Sequence, residues 1–131
     1  EPNLNLNSVE IDLALGEPEV YVIGNRTKLE QVVINMVQNA LDALTGVSNP
    51  KIVITLGAYE TAILRVSDNG SGIKDLEKLF EPFFTTKAPG AGLGLGLAIS
   101  SSIINNYGGR MTARNNEEKG AIFEVFLPLA G

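Results

Sequence analysis

Asn35 and Asn39 stand four residues apart in a stretch whose apolar residues Leu29, Val33, Val37, Ala40, Leu41 and Leu44 recur at helical spacing. Side chains at that separation project together from one helix face. Asparagine is a poor helix former, because its amide competes for backbone hydrogen bonds. The pair therefore reads in two ways: as amides facing solvent or satisfied in the core, or as oxygen ligands for a hard cation such as magnesium. Asp68-Asn69-Gly70-Ser71-Gly72 poses a second choice. It is good turn material, yet Asp68 shares the parity of Leu64 and Val66 and so points toward the face that its strand buries. A carboxylate without a partner there is costly. As an acceptor it would suit an exocyclic amine such as that of adenine, with the glycines letting the base pack on bare backbone.

Gly90-Ala91-Gly92-Leu93-Gly94-Leu95-Gly96-Leu97 runs directly into the helical-looking Ala98-Ile99-Ser100-Ser101-Ser102-Ile103-Ile104. Glycines permit close backbone approach, and a helix N-terminus presents unpaired N–H groups to an anion. This stretch is a candidate phosphate-binding loop. Phe80-Glu81-Pro82-Phe83-Phe84-Thr85-Thr86-Lys87 precedes it. Its three phenylalanines suit core anchoring as well as an aromatic clamp. Lys87 is either a surface charge or a group that reaches the terminal phosphate of a nucleotide.

The elements that must position these groups are legible as periods. Val9, Ile11, Leu13 and Leu15 alternate as in a half-buried strand. Gly16-Glu17-Pro18 reads as a turn, and Val20 with Val22 as a short strand ending at Gly24-Asn25. A helix is expected over 26–44, capped by Asn25 or by Thr27, whose spacing to Glu30 matches a capping box. Gly46 to Pro50 supply its stop. Ile52, Ile54 and Leu56, then Ala62, Leu64 and Val66, give two strands joined by a turn near Tyr59-Glu60. Ile73, Leu76 and Leu79 are spaced as a short helix, and Phe80 to Gly92 as an irregular loop. A further helix is expected over 94–107, stopped by Gly108-Gly109. Strands over 110–114 and 121–127 close the chain. The expected fold is α+β: a two-layer sandwich with a mixed, mostly antiparallel sheet covered on one face by three helices.

The 131 residues, 44% hydrophobic, suit one domain spanning 1–131 with a real core. The chain opens Glu1-Pro2 without a methionine and reads as a fragment of a larger protein. The absence of cysteine removes disulfides and thiolate chemistry, and the absence of histidine removes imidazole bases and ligands. A net charge of -5 argues against nucleic-acid binding. It leaves nucleotides open, where magnesium and backbone amides carry the charge. There is no internal repeat, signal peptide or apolar run of membrane-spanning length.

Taken in order, these segments resemble the ATP-binding catalytic domain of two-component sensor histidine kinases, in the superfamily shared with gyrase, MutL and the heat-shock chaperone. Glu30-Gln31-Val32-Val33-Ile34-Asn35-Met36-Val37-Gln38-Asn39-Ala40-Leu41-Asp42-Ala43 looks like the asparagine box. The segments 68–72, 80–87 and 92–97 look like the first glycine box, the phenylalanine box and the second glycine box. The resemblance covers nearly the whole chain and implies a Bergerat-type ATP-binding fold. Asn39-Ala40-Leu41-Asp42-Ala43 and the short lid look most like the nitrogen-regulation or dicarboxylate-sensor type.

Carried over to these positions, the resemblance implies ATP and magnesium as cofactors. Asn39 would be the main metal ligand and Asn35 its assistant, and both, with Lys87 near the γ-phosphate, would serve catalysis. Asp68 would accept from the adenine amine, helped by Gly70, Gly72 and Ile73, with Asp42, Ala43 and Ala121 close by. A lid over about 80–93 would contribute Phe80, Thr85, Thr86, Gly92 and Leu93. The amides of Gly94, Leu95, Gly96 and Leu97 would cradle the phosphates. ATP-hydrolysing branches carry a glutamate one turn before the metal-binding asparagine. Asn35 stands there instead, so hydrolysis should be slow. The phosphoacceptor histidine would lie on a separate dimerisation segment, and a response regulator would follow. The fragment would be monomeric, on the cytoplasmic side, without direct membrane contact and unable to autophosphorylate alone. Ala121 and Leu93 depart from the threonine or serine frequent at those places, changes that would weaken nucleotide binding. The rival readings are a hydrolysing ATPase of the same superfamily and a degenerate partner-binding module.

Overall fold

The periodic stretches become six strands and two helices in the computed structural model, which describes residues 3–6, 9–15, 22–58, 60–74, 80 and 96–130. In chain order they are β1 (Asn3–Leu6), β2 (Val9–Leu15), α1 (Arg26–Ala43), β3 (Lys51–Ala58), β4 (Thr61–Asp68), α2 (Gly96–Asn106), β5 (Arg110–Asn115) and β6 (Ala121–Pro128). The strands form one sheet in the order β1-β2-β3-β4-β6-β5. Only β2 and β3 run parallel; the other neighbours are antiparallel. A parallel pair needs a long crossover, and α1 lies within it.

The buried residues Val32, Met36 and Ala40 of α1 and its C-cap Leu44 recur every four positions and form one stripe, while Val33, expected on the apolar face, is exposed because it lies one position round the helix from that stripe. That stripe packs with Ile104 of α2 against Ile52, Val66, Phe123 and Val125 of the sheet. The expected two-layer architecture is the one observed. Burying a side chain of this size contributes about 1.5–3 kcal/mol, so this interface is the main source of stability. On the opposite sheet face, Glu124 is buried to 6% exposure. It accepts from Arg65 Nε at 2.7 Å and from Thr112 Oγ1 at 3.2 Å.

Several boundaries differ from expectation. Asn25, not Thr27, caps α1, its Oδ1 accepting from Lys28 N–H at 2.9 Å. Helical geometry begins at Arg26, so Thr27 is already inside the first turn. Val22 is irregular, while 16–21 lie outside the described residues. So does 75–79, on which most of the expected third helix falls. β1 was not foreseen, because four residues carry too little periodicity; its pairing with β2, Leu4 opposite Ile11, defines it. Gly108 (φ +81°) ends α2, and the next N–H, of Gly109, donates back to Ile104 O at 3.0 Å.

Candidate functional site

Asp68 is the last residue of β4, opposite the fully buried Ile52. The expected parity holds: its side chain points to the core face and is 4% exposed. Oδ1 accepts from Gly70 N–H at 2.8 Å and from Ala121 N–H at 3.3 Å. Oδ2 is buried and has no hydrogen-bond partner among the described residues. Burial raises the Asp68 pKa above its ordinary value, against the opposing pull of the two backbone N–H groups. A buried carboxylate oxygen left unpaired costs stability. It is also a vacant acceptor at the edge of the core.

Two other elements shape the surroundings of this acceptor. Gly70 packs against α1 so closely that a β-carbon would collide with the Ala43 carbonyl. Gly120 (φ +99°) lies against the Asp68 backbone, where any side chain would overlap it. Ala121 supplies a backbone N–H to Asp68, not a hydroxyl. Gly72 (φ +88°) abuts Asn115. Asn69, beside the carboxylate, accepts from Lys51 N–H at 2.8 Å and donates to Asn49 O at 3.0 Å, fastening the turn to the start of β3.

α1 joins this end of the molecule to α2. Ala43, Asn39 and Asn35 are spaced four apart on one stripe, about 12 Å from first to last. Ala43 touches Gly70 at one end. At the other, Asn35 Nδ2 donates to Gly96 O at 3.3 Å and to the buried Ser100 Oγ at 3.0 Å. Asn39 lies between, half-buried, and its amide makes no hydrogen bond among the described residues. The stripe runs from the Asp68 acceptor to the first turn of α2. Asp42 is exposed beside it and accepts from Gln38 Nε2 at 3.0 Å.

The structure thus brings Asp68, Gly70, Gly72, Ala43 and Ala121 to one end, and Asn35 and Gly96 to the other. Ile73, Phe80 and Leu97 pack their side chains against the core. Thr85, Thr86, Lys87, Gly92, Leu93, Gly94 and Leu95 lie outside the described residues. Sequence reasoning missed Asn69, Ser100 and Asn115, since nothing local distinguishes a clamping asparagine or serine from an exposed one. An apolar cavity of about 170 Å³ lies elsewhere, under the first half of α1, with Leu29, Val32, Leu64 and Val125 in its wall. It offers no polar side chain for chemistry.

Known proteins resemble this chain in sequence and in fold. A model of the family described as Histidine kinase-, DNA gyrase B-, and HSP90-like ATPase matches residues 24–131. The two-component sensor PprA of Pseudomonas aeruginosa is 43% identical over 97% of this chain, and the C4-dicarboxylate transport sensor protein DctB of Rhizobium meliloti 42% identical over 92%. The chain spans only 14% and 19% of those two proteins. The catalytic domain of histidine kinase ThkA superposes with a TM-score of 0.79 at 38% identity, covering 92% of this chain and 78% of that one. ThkA has also been solved in complex with response regulator protein TrrA, with a TM-score of 0.75 at 32% identity, covering 93% of this chain and 34% of that one. The chain belongs to the Histidine kinase-, DNA gyrase B-, and HSP90-like ATPase family, as an ATP-binding catalytic domain of the sensor histidine kinase type.

Proposed function

We propose that this domain holds magnesium-ATP and presents its γ-phosphoryl group to a histidine on a separate dimerisation segment of a two-component sensor kinase. The observation that carries the reading is the buried, unpartnered Oδ2 of Asp68. An adenine amine donating to it would satisfy the atom that the fold leaves bare. Gly70 and Gly72 would flank the base, and the Asn39–Asn35 stripe would lead the phosphates toward the amides of Gly94, Leu95, Gly96 and Leu97. Asn39, with Asn35 assisting, would hold magnesium, whose remaining ligands are waters and phosphate oxygens. The ion neutralises phosphate charge when bound.

The chain contains no histidine, so the acceptor must come from outside it. An acceptor imidazole nitrogen bonds to the γ-phosphorus as the bond to the β–γ bridging oxygen breaks, and ADP leaves. The protein's part is positioning. Asn35 has no acid–base function and cannot activate water in place of the acceptor. The lid over about 80–93, with Thr85, Thr86 and Lys87 near the γ-phosphate, completes the site in this reading. Likeness to DctB supports the dicarboxylate-sensor type. A response regulator would take the phosphoryl group onward, and the fragment would act as a monomer on the cytoplasmic side.

Calorimetric titration of the chain with magnesium and a non-hydrolysable ATP analogue tests the reading. Saturable binding at one site is expected, and none would overturn it. Phosphate release by the chain alone should be slow, with transfer appearing when a histidine-bearing dimerisation segment is added.

A further inference from the structure

Asn115 ends β5 and lies 42 residues from Ile73 in sequence, yet bonds both the backbone N–H and the backbone C=O of that residue. Its Oδ1 accepts from Ile73 N–H at 2.6 Å and its Nδ2 donates to Ile73 O at 3.1 Å. Both polar functions of one side chain are thus spent on one residue, as in a short piece of sheet. The same Oδ1 would lie 3.0 Å from a β-carbon at Gly72, which holds φ at +88°. Asn115 is solvent-exposed, so the two bonds are not forced by burial.

The opposite end of the same turn is held by the opposite strand of the same hairpin. Asn115 and Ala121 face each other across β5 and β6, and Ala121 N–H donates to Asp68 Oδ1. The β5–β6 hairpin therefore grips the 68–73 turn at both ends, Asp68 through Ala121 and Ile73 through Asn115. Asn116 N–H closes the hairpin loop onto Gly120 O at 2.9 Å. Ala121 makes its grip through its backbone N–H. Asn115 is the side chain on which the far grip depends.

We infer that Asn115 is a positioning residue for the base-binding half of the nucleotide site, holding the Gly72–Ile73 backbone at the spacing from Asp68 that an adenine requires. It touches no reacting atom. The inference rests on the reading of Asp68 as the adenine acceptor. Without the bracket the turn stays tied at Asp68 and Asn69, its Gly72–Ile73 end loses both Asn115 hydrogen bonds, and the ordering of Gly72 and Ile73 must be made good from binding energy. The loss should fall on the base that the pocket fits and spare the phosphate contacts.

The test compares the parent chain with Asn115→Ala by calorimetry, with magnesium and non-hydrolysable analogues of ATP and of GTP, alongside thermal unfolding. The parent should prefer the ATP analogue. Asn115→Ala should bind it roughly tenfold more weakly while changing the GTP analogue less, so that the preference narrows. A purely structural role would lower the unfolding temperature and weaken both nucleotides by one factor. That result, or unchanged ATP affinity, overturns the inference and leaves the adenine reading standing. A parent chain that binds neither analogue overturns both.

Discussion

Ala121 N–H donates to Asp68 Oδ1 at 3.3 Å, tying the end of β4 to the first residue of β6. With Gly70 N–H it claims one oxygen of the carboxylate, and the other is left bare. This asymmetry sets opposite signs for stability and for binding. Asp68→Asn replaces a buried unpaired charge by a neutral amide, so the unliganded chain should unfold at the same temperature or higher. The amide nitrogen presents a donor to a donor, and ATP-analogue affinity should fall on the order of a hundredfold or more. Calorimetry and thermal unfolding of one sample measure both effects.

Acid should act on two buried carboxylates in opposite directions. Asp68 has a raised pKa, so the folded state binds its proton more readily than the unfolded one. Its ionisation costs stability above the folded pKa, and the cost is relieved as pH falls through that value toward the ordinary 3.8. Glu124 is pushed up by burial, but the hydrogen bond and charge of Arg65, the Thr112 hydroxyl and the charge of Arg114 outweigh this and lower its pKa. Its contribution is present above 4.5 and lost as pH falls through the depressed folded value. Urea unfolding against pH should show Asp68→Asn removing the gain on mild acidification. Glu124→Gln should remove part of the loss at lower pH.

Arg65→Met would remove the 2.7 Å partner of Glu124 and leave the buried carboxylate with Thr112 and the more distant Arg114. Arg65 is 41% exposed, so solvent weakens the ion pair, and a loss of about 1–2 kcal/mol in urea unfolding is expected. The pair sits on the sheet face away from the helices, so nucleotide affinity should not change.

Removing the cap distinguishes the two residues that sequence alone offered for it. Asn25→Ala should destabilise the chain by about 1 kcal/mol, because Lys28 N–H loses its acceptor. Thr27→Ala, within the first turn of α1, should cost only a few tenths or be neutral. Denaturant midpoints of the two variants decide it.

Asn35→Ala would break both bonds that fasten α1 to the start of α2. The buried Ser100 hydroxyl would lose its partner, and a loss of about 1–2 kcal/mol is expected. Analogue affinity should fall as well, since the first turn of α2 is freed. Retained affinity in a folded Asn35→Ala chain would remove Asn35 from the site.

The legible part of the molecule was local. Period-two runs such as Ile52, Ile54 and Leu56 became strands, and the helix expected over 26–44 became α1, although its buried stripe runs through Val32 and Met36 and shares only Ala40 and Leu44 with the apolar residues read from the sequence. Asp68 announced itself because a carboxylate on an apolar parity conflicts with its neighbours, and such conflicts mark functional positions. Asn25 and Thr27 could not be separated, since both match a capping pattern and only the backbone at Arg26 decides. β1 was too short to signal.

By residue type and spacing alone, the sequence determined the chemistry on offer: an acid on a buried parity, two amides on one helix face, and glycines before a helix. Those are properties of neighbouring residues and need no fold to be read. The tertiary structure decided which atoms remain free. Asp68 Oδ2 is bare because the N–H groups of Gly70 and Ala121 both reach Oδ1. Asn115 matters because Ile73, 42 residues away, lies within its reach. Neither follows from local pattern, because a hydrogen bond between distant segments depends on sheet order and register, which are set by packing of the whole chain.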